Sequence, residues 1–324
     1  MAKLPEKLVE AYQHQRYHFI GKAGLVKPCR WLWRSLTTGG SEHCYKQRFY
    51  GIRSHRCVQF TPVPVCSEAC LFCWRVQPAD LGETWDELAW SEFDDPAKLI
   101  DSTIREHKKI LTGYWSNHKV NMMMLKEAMN PNHITASLVG EPTMYGAERL
   151  STLFEEARQR GFKTVFLVSN GTFPEVLSKL SVEPSQLYIS LCAPDEETYL
   201  KVCRPRVKDG WKRLNESIEL LRSFKCPTVI RMTLARNFNL KDAQGYSKTI
   251  LKGESTYLEP KAAMNVGYGL QTGRMKHENM PRHSEILEFS NELSNLTGYA
   301  ILDDVLKSGV VLMSRLKKPR RFDE

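Results

Sequence analysis

The stretch "VCSEACLFCWR", residues 65–75, places Cys66, Cys70 and Cys73 in one short loop. Thiols gathered this closely are metal ligands in the first instance, and three of them leave one coordination position open. The spacing Cys-x₃-Cys-x₂-Cys differs from the Cys-x₂-Cys pairs of zinc ribbons and from the Cys-x₂-Cys-x₂-Cys run of ferredoxins. A cubane [4Fe–4S] cluster accepts three thiolates if a non-protein ligand completes its fourth iron. A structural zinc would instead need a further protein ligand, such as Cys57 or a histidine. The chain has nine cysteines, six of them (29, 44, 57, 66, 70, 73) in the first 73 residues, which in a reducing compartment points to metal or redox chemistry rather than a disulfide framework.

The elements around this loop read as alternating strands and helices. "RCVQF" (56–60), "HITASLV" (133–139), "TVFLVS" (164–169), "QLYISLC" (186–192), "TVIRMTLA" (228–235) and "YLEPKAAMNV" (257–266) have the Val/Ile/Leu/Thr content of strands buried on both faces. A long helix is expected near 95–115. Leu150/Leu153/Phe154/Ala157 before Gly161, Trp211/Leu214/Ile218/Leu221, and Ile286/Phe289/Leu293/Leu296 after Pro281 form apolar stripes at helical spacing, expected to face a core. About six βα units predict an α/β fold with a parallel sheet curled into a full or partial barrel. Active groups of such folds lie where strands end, and the cysteine loop directly follows the strand at 56–60.

Charge is concentrated at one end. Residues 1–60 carry 11 Lys or Arg against 3 Glu, while the remaining 264 carry 35 basic and 34 acidic residues. With Trp31, Trp33, Tyr45, Phe49 and Tyr50 interleaved, the basic segment suits a polyanion whose bases can stack, although a solvated basic surface has the same composition. "RLKKPRRF" at 315–322 is a second basic cluster. No apolar run approaches the roughly 20 residues of a membrane span, so a soluble cytoplasmic protein with no membrane partner is expected.

The cysteine loop, with Phe72 before its last thiol, resembles the cluster motif of the radical S-adenosylmethionine (SAM) enzymes. That resemblance implies a partial (β/α)₆ TIM-like barrel with an N-terminal cysteine-rich basic extension, divided here as 1–55 and 56–324. It also implies that the amino and carboxylate groups of SAM fill the open iron site, and that an electron from the cluster cleaves SAM to a 5′-deoxyadenosyl radical. Gly140 and Glu141 in "LVGEP" match the Gly-Glu turn that binds the SAM amino group in that superfamily, while Ser169 and Asn170 in "VSNGT", also an ordinary turn sequence, and Ser190 in "YISLC" are further candidate SAM groups at successive strand ends.

The phrases "CYK", "FYGI", "SHRC", "FCWR", "SLVGEPTMY", "VSNGT" and "MPRHSEI" resemble, more narrowly, the tRNA-wyosine synthesis family in its short archaeal form, over about residues 25–300. This implies a second three-thiolate [4Fe–4S] cluster on Cys29, Cys44 and Cys57. It also implies a reaction joining pyruvate to N1-methylguanosine beside the anticodon of tRNA-Phe. In that reaction the radical takes hydrogen from the guanine N1-methyl, the new radical adds to the pyruvate carbonyl carbon, and loss of the carboxyl carbon precedes ring closure. Electrons come from an external donor, because the flavodoxin-like domain of eukaryotic members is absent. A monomer is expected.

Lys46, two residues after Cys44, is the candidate catalytic amine, either as an imine to pyruvate or as a plain cation beside a carboxylate or phosphate. Arg30, Arg34, Arg48 and Arg53 are candidate tRNA contacts. Cys192 and Cys203 stand where the family is expected to carry acids and are read as small buried residues. Two rival readings are a radical SAM enzyme with another substrate and a non-catalytic RNA-binding module with structural zinc.

Overall fold

The structure, a computed structural model, describes residues 4–323. Ten strands form one sheet: β1 (His18–Phe19), β2 (Leu25–Val26), β3 (Cys57–Thr61), β4 (His133–Ala136), β5 (Thr164–Ser169), β6 (Gln186–Ser190), β7 (Thr228–Leu234), β8 (Tyr257–Ala262), β9 (Ala300–Val305) and β10 (Val310–Ser314). They lie in the order β1-β2-β3-β4-β5-β6-β7-β8-β10-β9. β3 to β8 are parallel throughout and are the six strands expected from the sequence. Antiparallel strands, which the sequence reading omitted, extend both edges: β2 pairs with β3, and β10 with β8. The cysteine loop follows β3, the strand expected at 56–60, which is the first of the parallel strands but the third of the chain.

Each crossover carries helix, as parallel strands require. The helix Pro96–Thr112 starts at an Asp95 cap, whose Oδ1 accepts from Lys98 N at 3.0 Å, with proline in its first turn. The stripes of Ala147–Gln159 and Gly210–Leu220 face the core as expected, although Trp211 is only half-buried and packs on Tyr199. Leu296 departs from its stripe and is exposed, because the inward face of His283–Thr297 runs through Ile286, Phe289, Ser290, Leu293 and Thr297. Pro281, which the sequence suggests as the helix start, instead precedes the capping Arg282. Cys192 and Cys203 are buried, as read.

Two residue sets alternate along the parallel strands. One set, with Ile134, Val165, Leu167, Leu187, Ile189, Ile230 and Leu258, packs under the outer helices. The other set, Phe166, Tyr188, Val229 and Tyr257, faces Tyr45, Phe49 and Tyr50 from the short helix Tyr45–Tyr50. That helix plugs the inner side of the sheet, each buried aromatic contributing roughly 2–3 kcal/mol. So the plug carries Lys46 into the interior. Among the described residues no helix is long and apolar enough to cross a membrane.

One stability consequence follows from His107, buried in Pro96–Thr112 with Nε2 3.1 Å from the Ala128 carbonyl. Burial lowers its pKa to about 4, against about 6.5 when unfolded. Between these values the unfolded chain binds a proton that the native imidazole refuses. Stability is therefore intact above pH 6.5 and falls as pH drops towards 4, by roughly 2 kcal/mol at pH 5 from this residue. Thermal unfolding of His107→Gln between pH 7 and 5 should show a shallower decline than the parent chain.

Candidate active site

The cysteine loop is pinned on two sides. Its backbone is zipped to 202–205, with Ala69 N donating to Cys203 O at 3.1 Å and Leu71 N to Val202 O at 2.9 Å, and Glu68 bridging Pro205. On the other side Glu87, fully buried, accepts from Cys66 N at 3.0 Å and from Arg75 Nη1 at 2.7 Å, and also pairs with Arg206. Arg274 donates to Cys70 O at 3.1 Å and to Arg75 O at 2.9 Å. A loop held this firmly fixes its thiols before any metal arrives.

The sequence-expected SAM residues Gly140, Glu141, Ser169 and Asn170 stand against this loop. Gly140 has φ +73°, and a Cβ there would lie 2.3 Å from Val63 O, so only glycine lets the turn after β4 close on the loop. Glu141 accepts from Thr143 N (3.0 Å), Thr143 Oγ1 (2.6 Å), Ser169 Oγ (2.8 Å) and Asn170 N (2.7 Å). Three of these bonds fall on Oε1, which leaves acceptor capacity on Oε2. Asn170 Nδ2 donates to Ser67 Oγ at 2.9 Å and lies 3.8 Å from Cys66 Sγ. Ser190 is half-buried at the end of β6, beside Arg231 in the ladder.

Cys29, Cys44 and Cys57, far apart in sequence, line one cavity of about 770 Å³. Cys29 immediately precedes the helix Arg30–Thr37, Cys44 precedes the plug helix, and Cys57 opens β3. A helix N-terminus favours a thiolate, so the first two are well placed to become ligands. Burial pushes the Cys44 and Cys57 thiols up to about 12 and raises that of Cys29. In the loop, burial raises Cys66, while the adjacent Cys203 and burial together raise Cys70. Thiols desolvated in this way ionise only when a positive centre joins them, which is what an iron–sulfur cluster provides.

Ligand spacing bears on the zinc alternative. Among the described residues the set of three ligand atoms that lie within 4.8 Å of one another is Glu68, Cys70 and Cys203. Neither thiol triplet is that tight, whereas zinc–sulfur bonds of about 2.3 Å would draw sulfurs to about 3.8 Å apart.

Between the second triplet and the sheet lies a positively charged floor. Lys46 is buried, its Nζ 4.8 Å from the ring centroids of both Phe166 and Tyr188, and burial, reinforced by Arg231, lowers its pKa. Arg231 donates to Glu259 at 3.1 and 2.8 Å and also to Tyr45. Glu259 accepts further from Tyr50 at 2.7 Å and Tyr188 at 3.3 Å. Lys261 also faces the cavity, and burial, with Arg231 nearby, lowers its pKa to about 8. Trp74, next to Cys73, carries the cysteine loop into the same wall, where Gly267 docks so closely that a Cβ would lie 2.5 Å from Trp74 O.

Sequence reasoning missed Arg231, Glu259 and Lys261. Their signal was a charged residue inside an apolar strand, with Glu259 and Lys261 two apart on one face. Of the arginines, Arg30 and Arg34 line the cavity mouth. Arg34 pairs with Glu42, Arg48 with Asp303 at 2.6 and 2.8 Å, and Arg53 lies 3.7 Å from Glu127. Arg30 is exposed with no carboxylate partner among the described residues.

Residues 60–249 match the family described as the radical SAM superfamily, and residues 252–315 that described as wyosine base formation. The chain is 42% identical over 317 residues to the S-adenosyl-L-methionine-dependent tRNA 4-demethylwyosine synthase of Pyrococcus horikoshii, covering 96% of this chain and 90% of that one. It is 35% identical over 312 residues to the Methanocaldococcus jannaschii enzyme of the same name, covering 96% of each. A solved structure described as TYW1 with a lysine–pyruvate adduct bound superposes with a TM-score of 0.84 at 33% identity, covering 99% of this chain and 98% of that one. With the barrel, the loop thiols and the buried lysine already in place, this likeness across almost the whole length shows that the chain belongs to the S-adenosyl-L-methionine-dependent tRNA 4-demethylwyosine synthases of the radical SAM superfamily.

Proposed function

We propose that this chain joins pyruvate to N1-methylguanosine of tRNA-Phe, forming 4-demethylwyosine, and that Lys46 holds the pyruvate as an imine. The observation that carries the assignment is a buried amine with two ring faces as its neighbours and, among the described residues, no carboxylate in ion-pair contact, set in the cavity that the second thiol triplet lines. A relative of the same fold has been solved with a lysine–pyruvate adduct.

Cys66, Cys70 and Cys73 would hold one [4Fe–4S] cluster and Cys29, Cys44 and Cys57 a second. When bound, the first supplies the electron that cleaves SAM and the second an open iron able to polarise a 2-oxo acid. Glu141 Oε2, Ser169, Asn170 and Ser190 line the SAM side of the loop.

The chain's own part is to bind and orient. Neutral Lys46 Nζ attacks the keto carbon, a C–N bond forms, and the keto oxygen leaves as water. Desolvation and the neighbouring Arg231 favour the neutral amine this step needs. Arg231 stays fixed behind it because Glu259, itself held by tyrosines, anchors the guanidinium. Phe166 and Tyr188 wall off water. Electrons come from an external donor to a monomer acting in the cytoplasm, with residues 1–55 supplying the second triplet's first two thiols and the basic face, and 56–324 the barrel. Residues 1–3 and 324 of this division lie outside the described residues.

Borohydride trapping with labelled pyruvate tests the imine. Label on the Lys46 peptide is expected; an enzyme that makes product but traps no label would hand the pyruvate to iron and leave Lys46 as a cation.

The ion pairs sharpen the expectation for tRNA. Arg34, Arg48 and Arg53 have acidic neighbours, while Arg30 is exposed at the cavity mouth, so Arg30→Ala should weaken binding most. In filter binding across a salt series, its loss should flatten the log–log slope by roughly 0.7, the value for one single-strand phosphate, with SAM titration unchanged. An unaltered slope would move tRNA docking to the 315–322 cluster or the barrel loops.

A further inference from the structure

Three amines line the cavity, Lys46, Lys261 and Lys307, and Lys261 takes no part in the imine chemistry described above. It lies on β8, two residues beyond Glu259 and on the same face, so it projects inward one step closer to the rim than the Arg231–Glu259 pair. Its Nζ donates to Ser308 O at 3.0 Å, its sole hydrogen bond among the described residues. An ammonium has three donors, so two remain for the cavity. Among the described residues no carboxylate forms an ion pair with it, the nearby Glu259 being committed elsewhere. Glu259 is engaged by Arg231 and three tyrosines, and Glu42, the one acid among the described residues that line the cavity, pairs with Arg34 and Lys307. A desolvated cation with unused donors costs free energy until an anion meets it. Arg231 is the weaker seat, since its charge is already met by the Glu259 carboxylate through Nε and Nη2.

We propose that Lys261 binds the carboxylate of the 2-oxo acid substrate and selects an anionic substrate over a neutral one. This rests on the reading of Lys46 as the imine-forming residue: an amine consumed by the C–N bond cannot also clamp the carboxylate, and Lys307, the third amine lining the cavity, is paired with Glu42 at 2.8 Å, which leaves Lys261. Two attachment points, covalent at the keto carbon and ionic at the carboxylate, fix the orientation of the three-carbon unit. The competing role, a counter-ion for the thiolates of Cys29, Cys44 and Cys57, makes different predictions.

Equilibrium dialysis of labelled pyruvate against the reconstituted holoenzyme measures the anchor directly, and borohydride trapping with peptide mapping reads the imine separately. Lys261→Met should weaken pyruvate binding roughly 10- to 100-fold, the worth of one charge-assisted hydrogen bond, and Lys261→Arg should restore most of it. The parent enzyme should bind pyruvate more tightly than pyruvamide by a similar factor, and Lys261→Met should lose that preference. SAM titration, tRNA binding and iron content should not change, which separates the pyruvate carboxylate from the SAM carboxylate and from phosphate. Unchanged pyruvate affinity in Lys261→Met would overturn the proposal, as would an altered cluster spectrum alone. If the variant does not fold, equal binding of pyruvate and pyruvamide by the parent enzyme overturns it too. Pyruvate bound normally but trapped on no lysine, or trapped on Lys261, would refute the Lys46 reading instead.

Discussion

A chain carrying Cys66→Ala, Cys70→Ala and Cys73→Ala together should lose all SAM cleavage and fall from about eight irons to about four. The loss is complete because these three thiols sit in the loop that Gly140 and Asn170 contact, and among the described residues no other thiol triplet adjoins those two. The loop should survive the change in shape, since Glu87, Arg274 and the 202–205 backbone hold it through groups other than the thiols. The matching change at Cys29, Cys44 and Cys57 should remove the other half of the iron yet leave uncoupled SAM cleavage. Iron analysis with 5′-deoxyadenosine detection separates the two variants. Full iron in the first would sink the assignment of the loop, and full iron in the second would sink that of the cavity.

Lys46→Ala should abolish 4-demethylwyosine formation, by more than roughly 10³-fold, while both iron signals and SAM cleavage persist. A tethered substrate gains effective molarity on a scale of about 10⁵–10⁸ M, and the alanine variant forfeits it. Lys46→Arg should not rescue, because a guanidinium keeps the charge but cannot form the imine. Rescue by arginine would identify a clamp instead of a covalent role. The packing of Tyr45, Phe49 and Tyr50 holds the plug helix in place without Lys46, so loss of product without loss of fold is the expected pattern.

The six parallel strands were legible because each is an apolar run bounded by helix. Their ends were not. The sequence carries β4 to 139, but Leu138 and Val139 leave the ladder to pack with Leu8 and Tyr12 of the N-terminal helix. Leu191 and Cys192 likewise enter the core beyond the end of β6. Apolar content marks burial, and burial continues into the loops. β1 and β2, two residues each, are too short for any periodicity, and β9 mixes Asp303 and Asp304 into a half-exposed edge. The loop triplet could be read from spacing alone, whereas Cys29, Cys44 and Cys57 meet only because the plug helix inserts beside β3. Spacing carries no trace of that. Arg231, Glu259 and Lys261 were visible as charges in buried strands, but which of them is neutralised and which is free for a ligand depends on tyrosines from the plug.

Nucleoside analysis of N1-methylguanosine-containing tRNA-Phe tests the central claim most directly, after anaerobic incubation with the reconstituted protein, SAM, a reductant and labelled pyruvate. The expected result is 4-demethylwyosine carrying label from pyruvate carbons 2 and 3 and none from carbon 1. Unchanged N1-methylguanosine in a reaction that cleaves SAM and binds the tRNA would contradict it.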